Sequence, residues 1–132
     1  DGATLADGTS VRNVENFVIR AGSGNDTVTF TGNLVGNFSL DGGAGTDRIT
    51  IDLSATDLPT FLTSPSVGGI PGRQLYSAET EYSPRVGTLV FNDFESVELT
   101  GSAFDDVWIA SAGDDILKGG AGNDRLTGGA GN

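Results

Sequence analysis

Aspartate residues recur at one fixed place in the glycine-rich stretches of this chain. When residues 101–132 are divided into units of nine, Asp106, Asp115 and Asp124 each stand at place six, and glycine is concentrated at places one, two and four. Glycine adopts left-handed backbone conformations that other residues avoid, so the first six places can form a tight turn with inward-pointing carbonyl oxygens. A carboxylate at the end of that turn completes a set of oxygen ligands, which suits a hard and adaptable cation such as Ca²⁺.

The last three places of each unit predict a short strand. Place eight holds a large apolar residue in each complete unit, namely Trp108, Leu117 and Leu126. This residue faces one side of the strand and its neighbours face the other, so we expect place eight to form the core of a right-handed parallel roll. Two units make one coil, and turns two units apart stack on the same side. Turn 101–106 is therefore expected to stack on turn 119–124, with Asp106 and Asp124 sharing an ion.

Two more units of nine lie in the first half of the chain. They begin at Ala21 and Gly42, and their place-six residues are Asp26 and Asp47. Residues 30–41 between them have no place-six aspartate and predict a turn without metal on the opposite side. In that arrangement the two glycine turns stack on one side, and their aspartates share a calcium ion.

These turns together predict the metal-binding residues. They are Gly22, Gly24, Asp26, Gly42, Gly43, Gly45, Asp47, Ser102, Phe104, Asp106, Asp115, Gly119, Gly120, Gly122 and Asp124. Ser102 and Phe104 stand at glycine places, so we expect turn 101–106 to be strained or differently shaped. The partner turn of Asp115 begins at Gly128 and stops before its own aspartate, so this last site is half present.

Each of these residues also has a simpler interpretation. A solvated aspartate is common in glycine-rich turns, but the recurring place and spacing favour a metal ligand, least strongly at Asp115. Trp108 at the surface could stack on a sugar, but place eight faces inward. The adjacent carboxylates at 105–106 and 114–115 could be a catalytic pair, but the repeat explains them better.

The composition supports cation binding and excludes several other functions. The formal net charge is −11, from 18 acidic and 7 basic residues, which argues against nucleic acid and anionic membranes as partners. The chain has no cysteine and no histidine, so it lacks thiol chemistry and the commonest general base. No apolar run is long enough for a membrane span, and the first residues do not have the pattern expected of a signal peptide. We therefore expect no catalytic residues, no organic cofactor and no enzymatic activity.

The same pattern divides the chain into three parts. Residues 1–53 predict a first β-roll segment, and residues 88–132 a second one that continues the same solenoid. Residues 54–87 hold all four prolines and have no period, so they predict an irregular insert. A mixture of aromatic and charged residues there could form a binding loop, but a tolerated surface insertion is the favoured interpretation. The repeats continue to both ends of the chain, which predicts an excerpt of a longer protein.

The nonads resemble the repeats-in-toxin (RTX), haemolysin-type calcium-binding family. Residues 21–29, 42–50 and 101–132 carry the resemblance, and a longer repeat that relates 15–28 to 95–108 extends it. The resemblance implies an all-β fold, a parallel β-roll or β-helix with Ca²⁺ between stacked turns. It also implies type I secretion from a Gram-negative or cyanobacterial host, and folding only outside the cell, where calcium is high.

The resulting functional hypothesis is a calcium-dependent structural module of a larger secreted or cell-surface bacterial protein. Its predicted partners are calcium ions and neighbouring repeats of the same parent chain. The alternative is an adhesin or S-layer interaction module that binds a carbohydrate, a surface or neighbouring copies of itself.

Overall fold

Strands are the regular elements of the part of the chain that the structure describes. The computed structural model describes residues 2–5, 10–12, 16–63, 73–77, 87–110 and 113–131, and no helix occurs within these ranges, so none of them holds a membrane-spanning helix. The strands are β1 (Gly2–Leu5), β2 (Ser10–Arg12), β3 (Asn16–Arg20), β4 (Thr27–Thr31), β5 (Gly36–Asp41), β6 (Arg48–Asp52), β7 (Thr60–Thr63), β8 (Arg73–Ser77), β9 (Gly87–Asn92), β10 (Ser96–Thr100), β11 (Val107–Ile109), β12 (Ile116–Lys118) and β13 (Arg125–Thr127).

The strands form two sheets, and the chain passes repeatedly from one to the other. The first sheet has the order β12-β10-β6-β4-β1-β2, and the second has the order β13-β11-β7-β8-β9-β5-β3. Because each return to a sheet comes after a full coil, the successive repeat strands pair in parallel, as β4 does with β6 and β3 with β5. The fold is thus a parallel β-roll, as the nonads predicted.

Alternating side chains explain both the strands and their burial. In β4 the sequence TVTFT buries Val28 and Phe30 completely, and the three threonines that alternate with them face outward. β6 repeats the arrangement with Ile49 and Ile51, which lie directly beside those two residues in the sheet. The apolar side chains of both sheets meet in one core that also includes the fully buried Trp108, which confirms its predicted inward position.

The predicted insert contributes two strands to the second sheet. β7 and β8 lie between β9 and β11, and β8 runs antiparallel to both of its neighbours. The interpretation of 54–87 as irregular is therefore wrong for Thr60–Thr63 and Arg73–Ser77. All four prolines lie outside these two stretches, so none removes a donor from the ladder. The boundaries of the three predicted segments stay predictions.

The start of the chain departs from the parallel pattern. β1 pairs antiparallel with β2 on one side and with β4 on the other. The first sheet thus ends in an antiparallel hairpin, whereas β3 forms the corresponding edge of the second sheet. The parallel roll begins with β3 and β4.

Candidate metal centres

The turns between the sheets line two opposite edges of the roll. The first edge carries the turns that lead from the second sheet to the first, which are 21–26, 42–47, 93–95 and, in its described residues, the turn that includes 110 and 113–115. The second edge carries the turns that lead back, which are 32–35, 53–59, 101–106 and 119–124. The predicted place of 30–41 is confirmed, because its turn lies on the edge opposite the two glycine turns.

The glycine turns 21–26 and 42–47 stack directly on each other, as predicted. Their backbones exchange two hydrogen bonds, since Gly24 N–H donates to Ala44 O at 2.8 Å and Ala44 N–H donates to Gly22 O at 2.9 Å. The backbone angle φ is 91° at Gly43, and a Cβ there would overlap the carbonyl oxygen of Gly22. Glycine is therefore needed at this place for conformation and for close approach.

The place-six carboxylates link successive turns in one direction. Asp47 Oδ1 accepts a hydrogen bond from Asp26 N–H at 2.7 Å, and Asp124 Oδ1 accepts one from Asp106 N–H at 3.0 Å. Asp115 Oδ1 accepts from Val97 N–H at 3.1 Å. In each pair the carboxylate comes later in the chain than its donor, which lies in the preceding turn for Asp47 and Asp124 and in β10 for Asp115.

Place five makes the opposite link, and there asparagine and aspartate are equivalent. Asn25 Oδ1 accepts from Thr46 N–H at 3.0 Å, and Asp105 Oδ1 accepts from Asn123 N–H at 2.7 Å. Both side chains act here as acceptors alone, so the extra charge of an aspartate does not change the contact.

The stacked turns 21–26 and 42–47 contain two buried carboxylate oxygens without a hydrogen-bond partner. They are Asp26 Oδ2 and Asp47 Oδ2, and the whole Asp47 residue is only 1 % exposed. A buried carboxylate oxygen without a donor is unfavourable, and a divalent cation would remove that penalty. No group of three or more acidic side chains converges within the described residues, so an ion held here would also need backbone carbonyl ligands. These two turns therefore fit a calcium ion.

Asp106 on the second edge has a different environment. It is fully buried, and its carboxylate accepts hydrogen bonds from Thr60 Oγ1 at 2.8 Å and from Ser102 N–H at 2.8 Å, as well as from Thr60 N–H and Ser102 Oγ. Trp108 Nε1 donates to Thr60 Oγ1 at 3.0 Å, which leaves the Thr60 hydroxyl proton for Asp106. Burial raises the pKa of Asp106, and these hydrogen bonds act against that rise.

The turn 101–106 stacks on 119–124 as predicted, but its shape differs. Arg125 N–H donates to Asp106 O at 2.8 Å across the stack. Asp93 is the one non-glycine residue with positive φ in the described part of the chain, so Ser102 and Phe104 do not adopt the conformation of the glycines they replace. The Ser102 side chain instead bonds Asp106 inside its own turn. An ion shared by Asp106 and Asp124 stays a prediction.

The turn that ends at Asp115 also stacks as predicted. Gly113 N–H donates to Ala130 O at 2.9 Å, so this turn lies against the partial fourth unit. Leu117 and Ile49 both stand at place eight of their units, and both units pair with β10. Leu117 lies beside Leu99, whereas Ile49 lies beside Val97, two residues earlier in that strand. The stack therefore shifts by two residues here, and metal binding by Asp115 stays a prediction.

One residue of the first edge escaped the sequence analysis. Glu95 Oε2 accepts a hydrogen bond from Asp47 N–H at 2.7 Å, which is the contact made elsewhere by a place-six aspartate. In return Asp47 O accepts from Glu95 N–H at 3.1 Å. The turn has no glycine, so the nonad search did not find it. The usable signal was the acidic pair Asp93 and Glu95 between two alternating strands.

Stacked glycine–aspartate turns between two sheets of mainly parallel strands define the class of this molecule, a β-roll built from short repeats. A family model for the RTX calcium-binding nonapeptide repeat matches residues 18–30 and 100–132, with four copies. The chain thus carries RTX calcium-binding repeats, which confirms the resemblance seen in its nonads. Comparisons with curated proteins and with solved structures give no significant match. The unit 42–50 lies outside the matched residues, so its assignment depends on the stacking described above.

Proposed function

We propose that this chain is a calcium-binding RTX β-roll module that folds when it binds Ca²⁺ and serves as a structural part of a larger secreted or cell-surface protein. The observation that carries the proposal is the pair of stacked turns 21–26 and 42–47, with the buried oxygen Asp26 Oδ2 facing no donor. RTX repeats typically belong to secreted bacterial proteins, which supports the proposed location.

The proposed mechanism is thermodynamic linkage between metal binding and folding. Without metal, the chain must bury carboxylate oxygens that have no partner and must order many glycines, whose freedom opposes folding. The net charge of −11 adds repulsion to the compact state. Calcium binds only where two turns already stack, so its binding free energy stabilises the folded chain. A protein of this kind stays unfolded at low calcium and folds at high calcium.

A calcium titration followed by far-UV circular dichroism tests the proposal. We expect a cooperative gain of β signal with Ca²⁺ and none with the same concentration of Mg²⁺, which requires a more regular octahedron of ligands. A chain that is already folded in chelator, with a spectrum that does not respond to Ca²⁺, would show that the apolar core alone holds the roll and that the proposed mechanism is wrong.

A matched pair of variants locates the effect. Asp26→Asn keeps the size of the side chain but removes its charge, so the calcium midpoint should rise at least about tenfold. Asp57→Asn removes the same charge from an exposed residue of the second edge, whose Oδ2 accepts a bond from Asn33 Nδ2. This control should move the midpoint by less than about twofold. Equal shifts in the two variants would indicate a general charge effect and contradict a site at Asp26.

A further inference from the structure

Thr60, the first residue of β7, stands at the position that the place-six aspartate occupies in the nonads. Phe61 pairs with Val107, and Val107 pairs with Arg125, so the residues just before these three lie at equivalent places of successive turns. They are Thr60, Asp106 and Asp124. The stretch 53–60 contains no glycine, so its sequence does not reveal that Thr60 stands at place six.

The backbone contact of Thr60 is the one found between the two full glycine turns. Asp47 Oδ1 accepts a hydrogen bond from Asp26 N–H at 2.7 Å, and Asp106 Oδ1 accepts one from Thr60 N–H. The side chains of the two donors differ. Asp26 has a carboxylate whose Oδ2 is buried without a hydrogen-bond partner, whereas Thr60 has a hydroxyl that donates to Asp106 Oδ1 at 2.8 Å. A proton donor therefore faces Asp106 at the place where a second carboxylate would need a cation.

The rest of the Asp106 carboxylate is also occupied by protein donors. Its Oδ2 accepts a hydrogen bond from Ser102 N–H at 2.8 Å, and the Ser102 hydroxyl lies 3.0 Å from Oδ1 and 3.2 Å from Oδ2. Trp108 Nε1 donates to Thr60 Oγ1 at 3.0 Å, so the hydroxyl proton of Thr60 remains directed at the carboxylate. Asp106 is 0 % exposed, and both of its carboxylate oxygens have partners. An ion at this carboxylate would have to displace these hydrogen bonds.

We infer that Thr60 takes the place of a calcium ion at Asp106, and that the insert thereby holds this coil of the roll without metal. A carboxylate that accepts several hydrogen bonds is satisfied within the protein, whereas two facing carboxylates repel each other until a cation lies between them. The inference rests on the calcium chemistry proposed above for the turns 21–26 and 42–47. It removes Asp106 from the metal ligands and assigns a role to the predicted insert 54–87, which contains Thr60.

The position of Thr60 makes the calcium dependence of the roll uneven. β7 pairs in parallel with β11 and antiparallel with β8. The bonds from Thr60 to Asp106 therefore join the inserted strands to the repeats that follow them without an ion. Each coil of a solenoid contacts only its neighbours, so its coils can differ in stability. We expect the turn 101–106 to stay folded at calcium concentrations at which the turns 21–26 and 42–47 open.

Thr60→Asp tests the inference because it restores the aspartate of the repeat. Two buried carboxylates then face each other, and a calcium ion is needed between them. Isothermal titration calorimetry on the full chain should find one Ca²⁺ ion more than in the wild type. Thr29→Asp is the matched control, since it adds the same charge on the outer side of β4 and should leave the number of ions unchanged. Circular dichroism at saturating calcium shows whether both variants fold.

Two results for Thr60→Asp would overturn the inference. One is an unchanged number of ions. The other is failure to fold at saturating calcium, because an ion should replace the hydrogen bonds that are lost with the threonine.

Hydrogen exchange of the wild-type chain gives an independent measurement. As free calcium is lowered, the N–H groups of Thr60 and Ser102 should stay protected at concentrations at least about tenfold below those at which Asp26 N–H exchanges. Loss of protection of all three at one calcium concentration would contradict a calcium-independent turn at Asp106.

The Asp26→Asn variant separates this inference from the proposed function. If Asp26→Asn weakens calcium binding while Thr60→Asp binds no additional ion, the inference is wrong and the proposed function stands. If the wild-type chain binds no calcium, the proposed function is wrong and the inference fails with it. If Asp26→Asn weakens binding and Thr60→Asp gains an ion, both are supported.

Discussion

Asp47 and Asp106 occupy the same place in their repeats and have opposite environments. Both are buried, with 1 % and 0 % of their surface exposed. Asp47 keeps a carboxylate oxygen without a partner, and glycine stands at places two and four of its turn. Asp106 receives hydrogen bonds from Thr60 and Ser102 on both oxygens, and two of the glycines of its turn are replaced.

The difference indicates which part of the repeat motif would predict a metal site. The aspartate alone does not, because it can be satisfied by protein donors. The glycines of turn 42–47 supply no side-chain donor, so one carboxylate oxygen of Asp47 has no partner and would be available to the proposed ion. In turn 101–106 a serine at a glycine place supplies this donor, so the carboxylate is satisfied within the protein.

The largest expected effect comes from adding a methyl group where the two glycine turns touch. Gly43→Ala should destabilise the folded chain by about 3 kcal/mol or more, because the new Cβ overlaps Gly22 O and φ is 91°. Gly22→Ala is the control, with φ of 108° but open space around its Cβ, so only the conformational strain of about 1–2 kcal/mol is expected.

Urea unfolding at saturating calcium measures this pair. A comparable loss in the two variants would mean that the turns do not approach as closely as the structure shows.

Thr60→Val tests the turn 101–106, in which protein donors satisfy the carboxylate of Asp106. The change removes the hydroxyl between Trp108 and Asp106, so we expect a loss of about 2–3 kcal/mol from two buried groups left without a partner. The free energy of unfolding rises with the logarithm of free calcium, and its slope reports the ions bound on folding. Thr60→Val should lower the free energy of unfolding at every calcium concentration without changing its slope against the logarithm of free calcium. Asp26→Asn should reduce that slope.

Thr29→Val is the isosteric control for Thr60→Val. This threonine alternates with the buried Val28 and Phe30 in β4 and so lies on the outer side of the sheet. The free energy of unfolding of Thr29→Val should stay within about 0.5 kcal/mol of the wild-type value at each calcium concentration. A change of slope in Thr60→Val would show that Asp106 does bind an ion with Asp124.

Ser102→Gly should make the two turns more alike. It restores the consensus glycine and removes the Ser102 hydroxyl that bonds Asp106, so the free energy of unfolding extrapolated to zero calcium should fall by about 1 kcal/mol. The freed carboxylate should gain calcium affinity, so the slope against calcium should become steeper. An unchanged slope would show that a glycine at this place is not enough to create a site.

The smallest effect is expected on the outer face of the first sheet. Hydrogen bonds from Lys118 and Arg48 hold the pKa of Glu98 below its ordinary value. The stability they give is therefore present above the ordinary pKa and is lost as the pH falls through the lowered one. Glu98→Gln should lower the melting temperature slightly at pH 7, and the difference from the wild type should vanish in acid and shrink in about 1 M salt. A difference that survives both conditions would exclude an ionic cause.

The fold and the stacking of its turns could be predicted from local patterns. The nonads contain their own turn and strand signals, so the pair 101–106 with 119–124 followed from spacing, and the pair 21–26 with 42–47 followed once residues 30–41 were assigned to the opposite edge. The strand pairing of Thr60–Thr63 could not be predicted, because its parallel partner β11 lies 46 residues further along the chain and its antiparallel partner β8 lies in a stretch without a repeat pattern. For the same reason the contact of Glu95 with Asp47 was missed.

The hydrogen bonds of the place-six carboxylates all run in the same direction along the stack, so the two ends of the stack differ chemically. Each turn receives its acceptor from the turn after it, as Asp26 N–H does from Asp47 and Asp106 N–H does from Asp124. A roll cut after a turn exposes the neutral N–H group of place six and the acceptor of place five, and because both place-five contacts are exposed, water can satisfy both groups. A roll cut before a turn exposes carboxylates that have lost a donor, which is the more costly loss. Truncations from the two directions should therefore be unequally tolerated, and shortening from the C-terminal side should be the milder change.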